Sequence, residues 1–153
     1  AQIRWSGHVD LPVAGRHVPW TLRQPYHGLT SDLVLTPDQR LCLTGPEIEY
    51  QFGEEAVSTA LRHLVDRHSI TPQKEHAAIQ RWHQVLLDRP VAILANGAWI
   101  ESFDAAPLYD GPHLFDSSVL AALPAELRPN RHGRGLPILS AYEALTLTGA
   151  SYG

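Results

Sequence analysis

Apolar and polar residues alternate from the first residues of the chain. Ile3, Trp5, Val9 and Leu11 interleave with Arg4, Ser6, His8 and Asp10. After the turn-like Pro12-Val13-Ala14-Gly15, the residues Val18, Trp20 and Leu22 interleave with His17, Pro19 and Thr21. Period two marks a half-buried strand, so the pattern predicts an N-terminal hairpin. A register that sets Leu11 opposite Arg16 also sets Val9 opposite Val18 and Trp5 opposite Leu22, apolar against apolar on one face. Pro19 has no N–H to give to a ladder, which predicts an edge or a bulge there.

Leu33-Val34-Leu35 and Leu41-Cys42-Leu43 flank Thr36-Pro37-Asp38-Gln39, which has turn chemistry and predicts a second hairpin. Ile48, Tyr50 and Phe52 alternate with Glu49 and Gln51 and predict a short strand before Gly53. From Glu54 to His68 the spacing of Val57, Ala60, Leu61, Leu64 and Val65 predicts a helix, with Glu54 and Glu55 at its positive end. Thr71-Pro72 then reads as the N-cap and first position of a second helix, which carries Ala78, Ile79, Trp82, Val85 and Leu86 as its apolar stripe and stops near Asp88. Asn96-Gly97 between Val91-Ala92-Ile93-Leu94-Ala95 and Ala98-Trp99-Ile100 predicts a tight hairpin with a type I′ turn.

A loop over 104–112 follows, then a short helix over Ser117 to Leu123 capped by Asp116. A stretch rich in Pro, Gly and Arg runs over 124–137. Ile138, Leu139, Tyr142 and Leu145 have helical spacing, although Leu145-Thr146-Leu147-Thr148 also suits a strand. The order of elements predicts a single α+β domain over 1–153, a mostly antiparallel sheet built from hairpins with two or three helices packed on one face. Trp5, Trp20, Ile48, Tyr50, Leu61, Leu64, Ile79, Trp82, Leu86 and Ile93 are its expected core, in one cluster.

Composition narrows the class. At 153 residues the chain can bury roughly 68–70% of its unfolded surface and needs no staple to fold. Hydrophobic residues are 44% and charged residues 18%, which excludes a disordered protein and a coiled coil. A net charge of −4 argues against a general binder of nucleic acid or anionic membranes. One cysteine, Cys42, excludes an internal disulfide and the Cys-rich zinc motifs, and Leu41 and Leu43 beside it suggest a buried thiol. No stretch is long and apolar enough to span a membrane, and Ala1-Gln2-Ile3-Arg4-Trp5 does not read as a signal peptide, so a cytoplasmic protein is expected. Lys74 is the one lysine among 12 basic residues, which suggests a GC-rich genome and a bacterial source.

Three groups of residues carry candidate chemistry. In the hairpin register above, His8, Asp10 and His17 share the polar face, with Asp10 opposite His17. Two imidazoles and a carboxylate suit zinc or iron(II), or a general acid/base pair, and the His8-x-Asp10 spacing resembles the facial triad of iron oxygenases. The second group, Tyr26-His27-Gly28, is read first as a turn after Pro25. It is similar to the nicotinamide-binding start of some ADP-ribosyltransferases, which implies a ribose-holding role for His27; Tyr142 and Glu143, adjacent and far downstream, depart from that family's order. The third is the loop 128–135, where Arg128, Arg131, His132 and Arg134 among glycines can wrap an anion. His63, His68, His76 and His83 are placed on helices without the His-x-x-x-His spacing of a metal pair.

The sequence lacks a Gly-x-Ser-x-Gly elbow, a P-loop and a dinucleotide fingerprint. The leading expectation is therefore a small bacterial binding or regulatory protein, of the accessory, inhibitor or immunity kind, acting through a protein partner. The alternatives are a small enzyme using His8, Asp10 and His17, with or without a metal, and an anion- or nucleic-acid-contacting protein using the arginine loop. The residues name no cofactor.

Overall fold

The computed structural model describes residues 1–66, 68–129 and 135–149. Its elements run β1 (Ile3–Pro12), β2 (Trp20–Leu22), β3 (Leu33–Leu35), β4 (Arg40–Thr44), α1 (Pro46–Phe52), β5 (Ala56–Ala60), β6 (Ile70–Pro72), β7 (Ile79–Leu87), β8 (Ala92–Ala95), β9 (Ala98–Glu101), α2 (Pro112–Asp116), α3 (Val119–Ala122) and α4 (Ala141–Gly149). The strands form a two-stranded sheet of β1 and β7, a three-stranded sheet β3-β2-β6 and a four-stranded sheet β5-β4-β9-β8. Pairing within the last two sheets is antiparallel. This is the α+β class that the sequence predicts, with antiparallel sheets and a few short helices.

The chain divides into two compact units. One gathers Ala1–Val9, Trp82–Val91 and Ser102–Gly135; the other gathers Asp10–Arg81, Ala92–Glu101 and Leu136–Gly153. The first has a core of Leu86, Ala105 and Leu120, with Trp5, Phe103 and Phe115 packed on it. The second holds a larger cluster that includes Leu22, Leu41, Leu61, Leu64, Ile70 and Ile100, and a smaller one of Ile48, Val57 and Leu139. Among the described residues, three clusters replace the single one expected.

The Asn96-Gly97 hairpin is present as predicted. Ala95 pairs with Ala98, and Asn96 (φ 50°) and Gly97 (φ 99°) supply the two positive φ angles a type I′ turn requires. The first two hairpins are corrected. β1 pairs with β7, while β2 pairs with β3 on one side and β6 on the other. Leu22, wholly buried, thereby gains Leu33 and Ile70 as cross-strand neighbours. Pro19 sits just outside the ladder, where its carbonyl accepts from Gln73 N–H at 2.9 Å, so its missing donor costs nothing. The turn over 36–39 forms, with Gln39 N–H donating to Thr36 O at 3.1 Å, but β3 and β4 on either side of it go to different sheets.

Three elements have the opposite periodicity to the one expected. Residues i and i+4 share a face in both a helix and a strand, so Trp82/Leu86 and Ile48/Phe52 fit either. The intervening residues decide. In β7, Ile79 has the other parity from Trp82 and is exposed, where a helix would have buried it. In α1, Tyr50 is 91% exposed beside buried Ile48, where a strand would have put both on one face. The helix is punctuated by Pro46 at its first turn and by Gly53 after it, whose left-handed φ of 67° lets its N–H donate to Glu49 O at 2.9 Å. In place of the helix over 54–68 stands β5, Ala-Val-Ser-Thr-Ala, almost wholly buried. Short residues and burial on both faces erase the alternation that would have revealed it.

Near the C-terminus the cap of α3 is Ser118, whose hydroxyl accepts from Leu120 N–H, and not Asp116. α4 begins with a capping box: Ser140 N–H donates to the Glu143 carboxylate at 2.7 Å and Glu143 N–H to the Ser140 hydroxyl at 3.2 Å.

Candidate functional site

A cavity of about 370 Å³ opens in the second unit. Leu43, Ile48, Leu64, Ile70 and Leu147 are the apolar part of its lining, or wall, and His27, Asp66, His68 and Ser69, with Thr44, Glu47 and Thr148, the polar part. Strands and short helices carry these apolar residues except Leu64, which follows the turn Leu61–His63. His27, Asp66, His68 and Ser69 depend on two turns.

The first turn is Tyr26–Gly28, held by Leu29 N–H donating to Tyr26 O at 3.0 Å. His27 occupies the left-handed region at φ 54°, which few residues other than glycine adopt. The turn leans on the β8–β9 turn: Thr30 N–H donates to Asn96 O at 2.9 Å, and a Cβ on Gly97 would lie 2.2 Å from Gly28 O. Glycine at 97 is therefore required twice, for its φ and for the close approach of two backbones. His27 lines the cavity and is exposed, yet the protein atoms around its ring lower its pKa, and the charge of Asp66 only partly offsets this. The imidazole is held neutral at physiological pH.

The second turn is organised by Asp66. Its carboxylate accepts from the N–H groups of His68 (2.7 Å), Ser69 (2.5 Å) and Ile70 (3.2 Å) and from the Ser69 hydroxyl (2.5 Å). Desolvation pushes its pKa up, but the Ser69 hydroxyl and the three backbone donors outweigh this and hold it below the usual carboxylate range. An anionic carboxylate and a neutral imidazole in one cavity offer an acceptor and a donor–acceptor to a guest. Of these two, His27 belongs to a turn that the sequence singles out. Asp66 escapes notice because the helical reading of 54–68 hides the Asp-x-x-Ser turn it closes.

The predicted site residues lie elsewhere. Because β1 and β2 are not partners, the register that placed Asp10 opposite His17 is absent. Asp10 instead forms a bidentate pair with Arg81, at 2.8 and 2.9 Å. His17 ends the exposed turn Gly15–His17. His8 lies against His83, with ring centroids 5.7 Å apart. Among the described residues no three or more His, Cys, Asp or Glu side chains are grouped to hold a metal ion. In the arginine loop, Arg128 donates to the carbonyls of Leu120 (2.8 Å) and Leu123 (3.0 Å) and lies over the Phe115 ring, so it is spent on local structure. Arg131, His132 and Arg134 lie outside the described residues.

Cys42, half-buried in β4, has its thiol pushed up to about 11 by burial and then by the charge of Glu101, against the pull of Arg40. Glu101 is itself 3% exposed; it pairs with Arg40 and accepts from the Ser58 hydroxyl at 3.4 Å. The thiol is protonated at neutral pH and is no ready nucleophile.

The architecture is thus a β-rich α+β protein whose turns converge on a mixed polar and apolar cavity. Residues 1–107 match the Hint domain family, and the chain belongs to it. Hint folds occur in self-splicing and autoprocessing proteins and in bacterial Hint-domain proteins. The likeness of Tyr26-His27-Gly28 to ADP-ribosyltransferases is therefore not one of family. No curated protein and no solved structure matches the chain. Among the described residues, no helix is long and apolar enough to cross a membrane.

Proposed function

We propose that this Hint-family domain works by binding, and that it takes a short polypeptide segment of a protein partner into the cavity at His27. The observation that carries the reading is the cavity's mixed lining: five aliphatic side chains together with a neutral imidazole and a carboxylate fixed by four hydrogen bonds. Such a lining suits a peptide, which brings an apolar side chain for the wall and N–H and C=O groups for the polar part. Membership of a family found in self-splicing and autoprocessing proteins supports a polypeptide as guest. The protonated state of Cys42 favours binding over thiol chemistry in this chain.

The test is selection of random linear peptides displayed on phage against the folded domain, repeated with Thr148→Trp, which fills the cavity from α4, and with His27→Ala. Peptides that bind the wild type and lose about tenfold or more in affinity for both variants support the reading. Failure to enrich any peptide, or equal binding to Thr148→Trp, overturns it.

A further inference from the structure

We propose that His8 and His83 form a binding site for a borderline divalent transition-metal ion such as Zn²⁺. The two residues stand on β1 and β7, the strands of one sheet, with ring centroids 5.7 Å apart and planes inclined by 53°. Both are exposed, so their ring nitrogens are reachable from solvent. The separation is the telling quantity. A zinc ion sits about 2.0–2.1 Å from an imidazole nitrogen and hence about 3.2 Å from the ring centroid. Two rings on one ion at the tetrahedral angle then have centroids about 5.2 Å apart. The observed spacing is within about half an ångström of this, a difference that a small change in side-chain torsion removes.

Imidazole is an accepted ligand for zinc, copper and nickel alike, so the residue types select the borderline ions over calcium or magnesium. The strand ladder holds both ligands in place before the ion arrives, which makes the second Zn–N bond an intramolecular step. With two protein ligands, water fills the remaining positions. The ion would tie β1 to β7 in the folded protein, whereas in the unfolded chain the two ligands are not held together, so tighter binding to the folded form should stabilise it by mass action. This site involves none of the residues around the His27 cavity and stands or falls separately from it.

The experiment is a calorimetric titration of the folded domain with Zn²⁺, paired with thermal unfolding with and without the ion. It is run on the wild type, on His8→Asn and His83→Asn, and on His76→Asn as an exposed control. The expected result is saturable uptake by the wild type, a loss of about tenfold or more in affinity in each of the two ligand variants, and no loss in the control. Zn²⁺ should raise the unfolding midpoint of the wild type and the control, and not of the two ligand variants. Because both side chains are exposed, these variants fold, and far-UV circular dichroism verifies this. Absence of saturable uptake, or undiminished affinity in either ligand variant, overturns the proposal.

Discussion

His27 and His8 occupy opposite kinds of place. His27 is set by turns: its backbone is left-handed, the neighbouring Gly28 abuts Gly97, and the surrounding atoms lower its pKa. His8 is set by a strand, exposed, and faces another imidazole across the sheet. A side chain positioned by turns inherits their fragility, since a few backbone angles decide where it points. A side chain positioned by a ladder can be exchanged with little consequence for the fold.

Gly97→Val should be the most damaging. It forces a β-branched residue to φ 99° and drives its Cβ into the Gly28 carbonyl, so both turns must move. Strain and clash together should cost about 4 kcal/mol, measured by urea unfolding. Stability unchanged by this variant would mean that the two turns do not lean on each other.

Leu64→Ala comes next. Leu64 is 6% exposed, belongs to the main cluster and also forms part of the cavity wall. The truncation should cost about 3 kcal/mol. Because the cavity is already open on one side, the neighbours can collapse, and a value near the lower end of about 2–5 kcal/mol would show that they do. A loss below about 1 kcal/mol would mean that Leu64 is not packed as described.

How much of this was legible in the sequence depended on the distance between the groups involved. The β8–β9 turn is local: Asn-Gly allows the two positive φ angles and few other turns, so the sequence states it outright. The capping box at Ser140 and Glu143 and the Pro46…Gly53 punctuation of α1 are equally local, but the hydrophobic period over 48–52 suits a strand as well. β5 and β7 were misread because Trp82 and Leu86, four apart, satisfy both periods, and because β5 has no exposed face. Strand partners were the least legible. Val9 opposite Val18 was a consistent register, but β1 had an equally good apolar partner some 70 residues on. Nothing in residues 1–22 can reveal a competitor located there. The candidate site followed the same rule: His27 stood in a recognisable turn, His8 was correctly placed on a strand, and its partner His83 was hidden by the helical reading of β7.

Asp66→Ala tests the second turn. It removes the acceptor of three backbone N–H groups and one hydroxyl, in a loop that keeps some access to water. Water can serve part of what is lost, so the cost should be about 2 kcal/mol and below that of Leu64→Ala. A crystal structure of the variant should show His68 and Ser69 displaced, while the β8–β9 turn stays in place. A structure with this loop unchanged would show that its conformation is set by other contacts.

The smallest effect is a pH dependence carried by His27. His27 has a folded-state pKa below its ordinary value of 6.5, because desolvation penalises the charged ring more than Asp66 favours it. Between the folded and the unfolded pKa, the unfolded chain therefore binds a proton that the folded protein does not, and stability falls as the pH drops through 6.5. Above that value the penalty vanishes. Asp66 acts in a separate window: its folded pKa lies below the ordinary 3.8, so its contribution is complete above that value and is lost only as the pH falls through the lower one. His27→Gln removes the His27 penalty and leaves the Asp66 contribution. In urea unfolding followed between about pH 7.5 and pH 5, the wild type should therefore lose stability relative to His27→Gln as acid is added. The exposed His8 lies outside that cavity, so His8→Gln, measured at neutral pH without metal, should stay within about 0.5 kcal/mol of the wild type. Parallel curves for the wild type and His27→Gln would show that the ring of His27 is as well solvated as it is in the unfolded chain. The cavity would then lose the neutral imidazole on which its proposed role depends.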